Sequence, residues 1–255
     1  LELDRVARPS YSLSRYYIFK RIAPWRGPMA RGYEINDLAK EESWRLFRII
    51  GELVEGFDKL SGIGPAVSVY GSARIRPGDP LYVETEEITR RLGKLGFSII
   101  TGGGPGVMEA ANKGALEAGV ASVGLNIELP EEQACNPYST KSITFNHFFV
   151  RKVMLVKYAV AFIIMPGGLG TLDELTEVLT LIQTHKIRPL PVILYNGGYW
   201  KGFLEWLRGS VLAKGLISEG DFHHLRVCDQ PEEVIEAVQK WSVEQEVVGR
   251  KALLK

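Results

Sequence analysis

Between Val67 and Trp241 short apolar runs alternate with amphipathic stretches, and this alternation restricts the fold more than any other feature of the chain. Val67–Tyr70, Phe97–Ile100, Ser122–Leu125, Ser142–Phe145, Ala159–Met165, Pro191–Tyr195 and Leu225–Val227 read as strands. Helical spacing fills the intervals, over Leu81–Leu95, Val107–Ala118, His147–Tyr158, Leu172–Gln183, Trp200–Lys214 and Pro231–Trp241. Strands that alternate with helices of this length form a parallel sheet covered on both faces. The expected class is therefore α/β, a Rossmann-like doubly wound parallel sheet with helices on both faces, plus an N-terminal extension.

The extension has its own character. Ile35–Lys59 carries Leu38, Trp44, Phe47, Ile50, Leu53, Val54 and Phe57 at helical spacing, and the turn-formers of Ser61–Ala66 follow it. Residues 1–33 hold seven basic side chains against Glu2 and Asp4, a local net charge of +5. Pro9, Pro24 and Pro28 interrupt that stretch, and five aromatic residues, Tyr11 to Trp25, accompany it. It reads as an ordered arm that packs on the domain or on a second subunit, with a transit peptide as the other reading. The division expected is arm and helix over 1–60, a Rossmann-like domain over 61–241, and a tail over 242–255.

Composition narrows the function classes. The 255 residues suit one large α/β domain with an added arm, and 45% hydrophobic residues supply a core. A net charge of +1 gives no reason to expect nucleic acid or an acidic membrane as partner. No apolar run approaches the roughly 18 residues of a membrane span. Cys135 and Cys228 lie far apart, and His147, His185, His223 and His224 form no metal-binding pattern. Neither a metal nor a cofactor is expected, and unpaired thiols suit a cytoplasmic protein.

In an open parallel sheet, ligands bind outside the carboxyl ends of the strands, near the point where strand order reverses. Two glycine loops fall on that edge: Gly102-Gly103-Gly104-Pro105-Gly106 and Gly167-Gly168-Leu169-Gly170-Thr171. Glycine lets backbone N–H groups approach an anion, and a helix N-terminus adds partial positive charge. Each loop is also readable as a plain strand-to-helix turn. Neither is a dinucleotide fingerprint or a P-loop, so the inferred ligand is a single phosphate or a mononucleotide.

Two charged residues accompany the loops, and each has two readings. Glu174 either returns to the backbone of Thr171 in a TxxE capping box or points into the crevice toward a sugar. Arg151, placed one turn beyond Asn146 as expected N-cap, is either a surface cation or a clamp on an anion or on the carboxylate. Asp173 and Glu177 read as solvated or helix-dipole residues.

The segments GGGPGVMEAANKGA (Gly102–Ala115), FFVRK (Phe148–Lys152) and PGGLGTLDE (Pro166–Glu174) resemble the LONELY GUY family, cytokinin-activating phosphoribohydrolases once labelled possible lysine decarboxylases. The resemblance runs from about Val67 to about Val238 and looks like the larger bacterial members. It implies hydrolysis of the N-glycosidic bond of an adenine-type nucleoside 5′-monophosphate, AMP or a cytokinin riboside monophosphate, to free base and ribose 5-phosphate. It assigns Arg151 and Glu174 to catalysis. The phosphate loop would comprise Gly167, Gly168, Leu169, Gly170 and Thr171. Ser72, Gly103, Gly104 and Met108 would bind substrate, as would Glu109, Glu132, Lys152 and Thr180. Glu109 departs from the glycine of the short members, a change at a position tied to base selectivity. The resemblance also implies a homodimer or higher homo-oligomer. A non-catalytic nucleotide or cofactor carrier, similar to molybdenum cofactor carriers, is the alternative, and the pairing of Arg151 with Glu174 separates the two. A pyridoxal phosphate decarboxylase is disfavoured because no lysine sits in a context that singles it out.

Overall fold

A computed structural model describes residues 42–129 and 135–253. All seven expected strands form, as β1 (Ala66–Tyr70), β2 (Ser98–Thr101), β3 (Ser122–Ile127), β4 (Lys141–Phe145), β5 (Ala159–Ile164), β6 (Val192–Tyr195) and β7 (Leu225–Cys228). They make one parallel sheet in the order β4-β3-β2-β1-β5-β6-β7. The chain winds outward from β1 to β4, then crosses back over the sheet to β5. Strand order thus reverses between β1 and β5, as the Rossmann-like reading requires.

Alternating strand residues serve the two faces. Tyr70, Ile100, Phe162 and Ile164 point into one apolar cluster, whereas Val67, Val69, Ile99, Ala161 and Ile163 point into the other. The first cluster is covered by α1 (Glu42–Leu60), α4 (Phe148–Lys157), α5 (Leu169–Gln183) and α6 (Gly197–Trp206). The second is covered by α2 (Pro80–Lys94), α3 (Val107–Glu117) and α7 (Pro231–Leu253). Strands β1 and β2 are buried along their whole length, and the edge strands β4 and β7 are half exposed. The central strands therefore lack the alternating polar pattern of a one-sided sheet.

Helix boundaries differ from the sequence expectation in three places. Helix α5 begins at Leu169 rather than Leu172, so three of the five residues of the second glycine loop belong to its first turn. Helix α6 begins at Gly197, behind Asn196, whose left-handed backbone (φ 70°) and side-chain bond to the Tyr199 amide start it. Past Trp206 it widens into a π-helical turn over Leu207–Leu212. Helix α7 continues beyond Trp241 to Leu253. Residues 1–41, which carry the basic aromatic arm, lie outside the described residues. Among the described residues no helix is long and apolar enough to cross a membrane, and no group of His, Cys, Asp and Glu could hold a metal.

Candidate functional site

The reversal point is laced by backbone bonds from the loop after β1. The Met165 amide donates to the Tyr70 carbonyl at 2.8 Å and the Ser72 amide to the Pro166 carbonyl at 3.1 Å. The Val107 amide, first in α3, donates to the Ser72 carbonyl at 3.0 Å. Ser72 thus joins both glycine loops through its main chain, and its hydroxyl accepts from the Arg74 amide at 3.1 Å.

The two glycine loops are built differently. In the first, Gly103 (φ +72°) lies so close to Asn126 that a Cβ would meet Oδ1 at 2.2 Å. Its amide donates to the Thr101 hydroxyl at 3.0 Å, its carbonyl accepts from the Asn136 amide at 2.9 Å, and the Gly104 carbonyl accepts from Asn136 Nδ2 at 3.0 Å. Gly103 and Gly104 are buried, and the Gly103 amide and both carbonyls are spent on contacts within the protein. At the second loop a Cβ on Gly168 or Gly170 would meet nothing within 4 Å, and Leu169 is 85% exposed. No side chain caps α5, which leaves its first-turn N–H groups facing outward as an anion would need. Gly167 is tied down from both sides: a Cβ there would meet Thr171 Oγ1 at 2.1 Å, and its carbonyl accepts from the Tyr199 hydroxyl.

The early start of α5 removes the capping-box reading of Glu174. Gly168 is the N-cap and Thr171 is a buried residue within the first turn, so Glu174 projects from the second turn. Its Oε1 accepts from Arg151 Nη2 at 3.2 Å, with the two side chains 12% and 15% exposed for arginine and glutamate. Arg151 is therefore not a surface cation. Its guanidinium sits 5.4 Å from the Phe148 ring centre, and its Nε is buried without a hydrogen-bond partner. A Cβ on Gly102 would meet Met108 Sδ at 2.8 Å and Arg151 Nη1 at 3.4 Å, so the first turn of α3 abuts the pair where Gly102 leaves room. Burial pushes the Glu174 carboxyl up to about 7, against the opposing pull of Arg151. Burial, reinforced by Glu174, likewise holds the Tyr70 phenol well above its usual value.

The remaining expected residues divide. Lys152 closes the rim by binding both oxygens of Asp173 at 3.0 Å and Glu177 at 3.4 Å. Asp173 and Glu177 are thus ion-pair partners and not merely solvated. Although desolvation works against it, these carboxylates keep the Lys152 ammonium above its ordinary value. Glu109 accepts from the Tyr82 hydroxyl at 2.9 Å, which draws its carboxylate toward α2. Thr180 is exposed and donates back to the Thr176 carbonyl at 2.7 Å. Glu132 lies outside the described residues. Asn146 is not the N-cap of α4; His147 is, and the Asn146 amide side chain donates to Glu52 at 3.0 Å. Sequence reasoning named Gly102 only as part of the first glycine loop and Phe148 only within the FFVRK segment, and it did not assign Tyr70 or Tyr199 to the site. Position at the carboxyl edge was the available indication for Gly102 and Tyr199.

A family model described as possible lysine decarboxylase matches residues 108–238, just over half of the chain. The chain belongs to this family, whose members include the LONELY GUY proteins. The rice cytokinin riboside 5′-monophosphate phosphoribohydrolase LOG is 32% identical over 138 residues, 52% of this chain and 55% of that protein. The chain thus spans about half the length of that LONELY GUY relative. The Mycobacterium tuberculosis protein of the same description is 28% identical over 179 residues, 67% of this chain and 91% of that one. Among solved structures, a structural-genomics target aligns with TM-score 0.55 at 25% identity, covering 69% of this chain and 99% of its own. The molybdenum cofactor carrier protein of Chlamydomonas reinhardtii aligns with TM-score 0.51 at 22% identity over 71% of this chain and 99% of its own, a likeness of fold.

Proposed function

We propose that this protein hydrolyses the N-glycosidic bond of an adenine-type nucleoside 5′-monophosphate, releasing free base and ribose 5-phosphate. The observation that carries this reading is the shielded Arg151–Glu174 pair, 3.2 Å apart, in the second turn of α5 from its uncapped N-terminus. The 5′-phosphate binds the first-turn amides around Gly168 and Gly170, and the ribose extends over Glu174. Five helical residues rise about 7.5 Å, a span suited to a ribose phosphate. As the C1′–N bond breaks, its electron pair stays with the base and positive charge grows on the sugar ring. The Glu174 carboxylate faces that charge and orients the water whose oxygen bonds to C1′, while a proton from the water ends on the base. Phosphate binding, remote from the reacting bond, contributes to orientation and distortion of the sugar. The names of the rice and mycobacterial relatives support this substrate class.

Decarboxylase chemistry is disfavoured by Lys152. A Schiff-base lysine is activated by a lowered ammonium pKa, whereas Asp173 and Glu177 hold this one above its usual value against desolvation. A carrier would need an anion cradle but no shielded arginine–carboxylate pair. Incubation of purified protein with AMP and, separately, with N6-isopentenyl-AMP tests the proposal. Free base and ribose 5-phosphate are expected from at least one nucleotide and little from adenosine. Tight nucleotide binding without product from either would favour the carrier.

A further inference from the structure

Helix α1 precedes the family-matched segment, yet one of its carboxylates reaches the helix that bears Arg151. Glu52 is buried, and its oxygens accept from the Asn146 amide at 3.2 Å, Asn146 Nδ2 at 3.0 Å and the His147 amide at 3.3 Å. Oε1 also lies 3.0 Å from His147 Nδ1. His147 is the N-cap of α4 and makes no cap bond with its own side chain. Glu52 therefore supplies the cap from another element, with its negative charge at the positive end of the helix. One turn along α1, a Cβ on Gly56 would lie 2.7 Å from the end of the buried Met154 side chain, so the two helices touch closely there as well. Arg151 stands between these two points, and its amide donates to the His147 carbonyl at 3.2 Å.

We propose that Glu52 is a positioning residue: by capping α4 through Asn146 and His147 it fixes the axial place of that helix, and so the contact of Arg151 with Glu174. Helix α1 is then a brace for the site, and its packing on the sheet serves more than stability. The inference rests on Arg151 and Glu174 being the working pair, but its test does not require turnover. Without the brace α4 slides or frays at its first turn, and the guanidinium withdraws from the carboxylate. Glu174 is faced by Arg151 and Lys152 from α4, by Asp173 and Glu177 from its own helix, and by Tyr70 from β1. Loss of the Arg151 contact removes the nearest cation from this set.

The direct test is titration of the Glu174 carboxyl by NMR on protein labelled at glutamate side-chain carbons, with the resonance assigned by Glu174→Gln. In Glu52→Ala the midpoint should rise by on the order of one pH unit. Glu52→Gln, which keeps one oxygen for the Asn146 and His147 donors, should show a smaller rise in the same direction, and it carries the test if Glu52→Ala fails to fold. An unchanged midpoint in a folded variant with a lowered melting temperature would overturn the proposal and leave Glu52 a packing residue. Where turnover is measured, kcat should fall at least about tenfold with little change in KM, because the phosphate cradle on α5 is untouched. Absence of hydrolysis in the parent protein would remove the functional reading while the titration still decides the brace.

Discussion

At the scale of single residues, the chemistry depends on how one carboxyl is kept ready. Burial favours the neutral form of Glu174 and Arg151 favours the charged form, and the balance leaves the group at about 7 rather than near 4.5. If the carboxylate is the working form, the rate should climb as pH rises through about 7, and a pH–rate profile reads this as an acid limb. The same shift has a cost in stability. A carboxyl whose pKa is raised on folding stabilises the native state fully below its unfolded value, and that contribution is lost as pH rises through the folded value. Glu174→Gln should therefore be more stable than the parent at pH 8, by on the order of 1 kcal/mol or more, and show no such advantage near pH 4. Calorimetry at the two pH values checks it; a variant less stable at pH 8 would mean that the ionised carboxylate is a net stabiliser through Arg151.

At the scale of elements, the two glycine loops have parted company, and substitutions should separate them. Gly103→Ala places a side chain at φ +72° and against Asn126, so it should cost about 1–3 kcal/mol of stability, read as a fall in melting temperature. Gly168 has φ −92° and open space around it, so Gly168→Ala should leave melting nearly unchanged. It should instead raise KM for the nucleotide, because the new methyl stands where the phosphate approaches the amides. Equal stability losses at both positions would contradict the assignment of the cradle to α5. The sequence alone could not make this distinction, because both loops follow a buried strand and both open a helix. What differs is whether their polar groups are already used, and that depends on Asn126 and Asn136, which approach from elsewhere in the chain.

At the scale of the molecule, the strand pattern was legible because a sheet covered on both faces requires continuous apolar strands, and all seven appear where the sequence implied. The Arg151–Glu174 meeting was legible only in part. The rule of strand ends puts both residues on one edge, but their contact requires α4 to cross from edge strand β4 to central strand β5. The capping-box pattern obscured this by suggesting a local partner for Glu174. Glu52 was not legible at all, since it meets its partners across 95 residues of chain and from a helix outside the family segment. Family resemblance also leads us to expect an assembly of at least two copies, which sedimentation of the full chain would register as a mass above one 28.4 kDa protomer. The account stands most directly on one comparison: release of base from the preferred nucleoside monophosphate by the parent protein and by Glu174→Gln, with nucleotide affinity measured on both. A loss of about 10²–10³ in kcat with affinity retained within a few-fold is the expected result. Turnover undiminished in the variant would contradict the assignment of Glu174, and with it the mechanism proposed for the site.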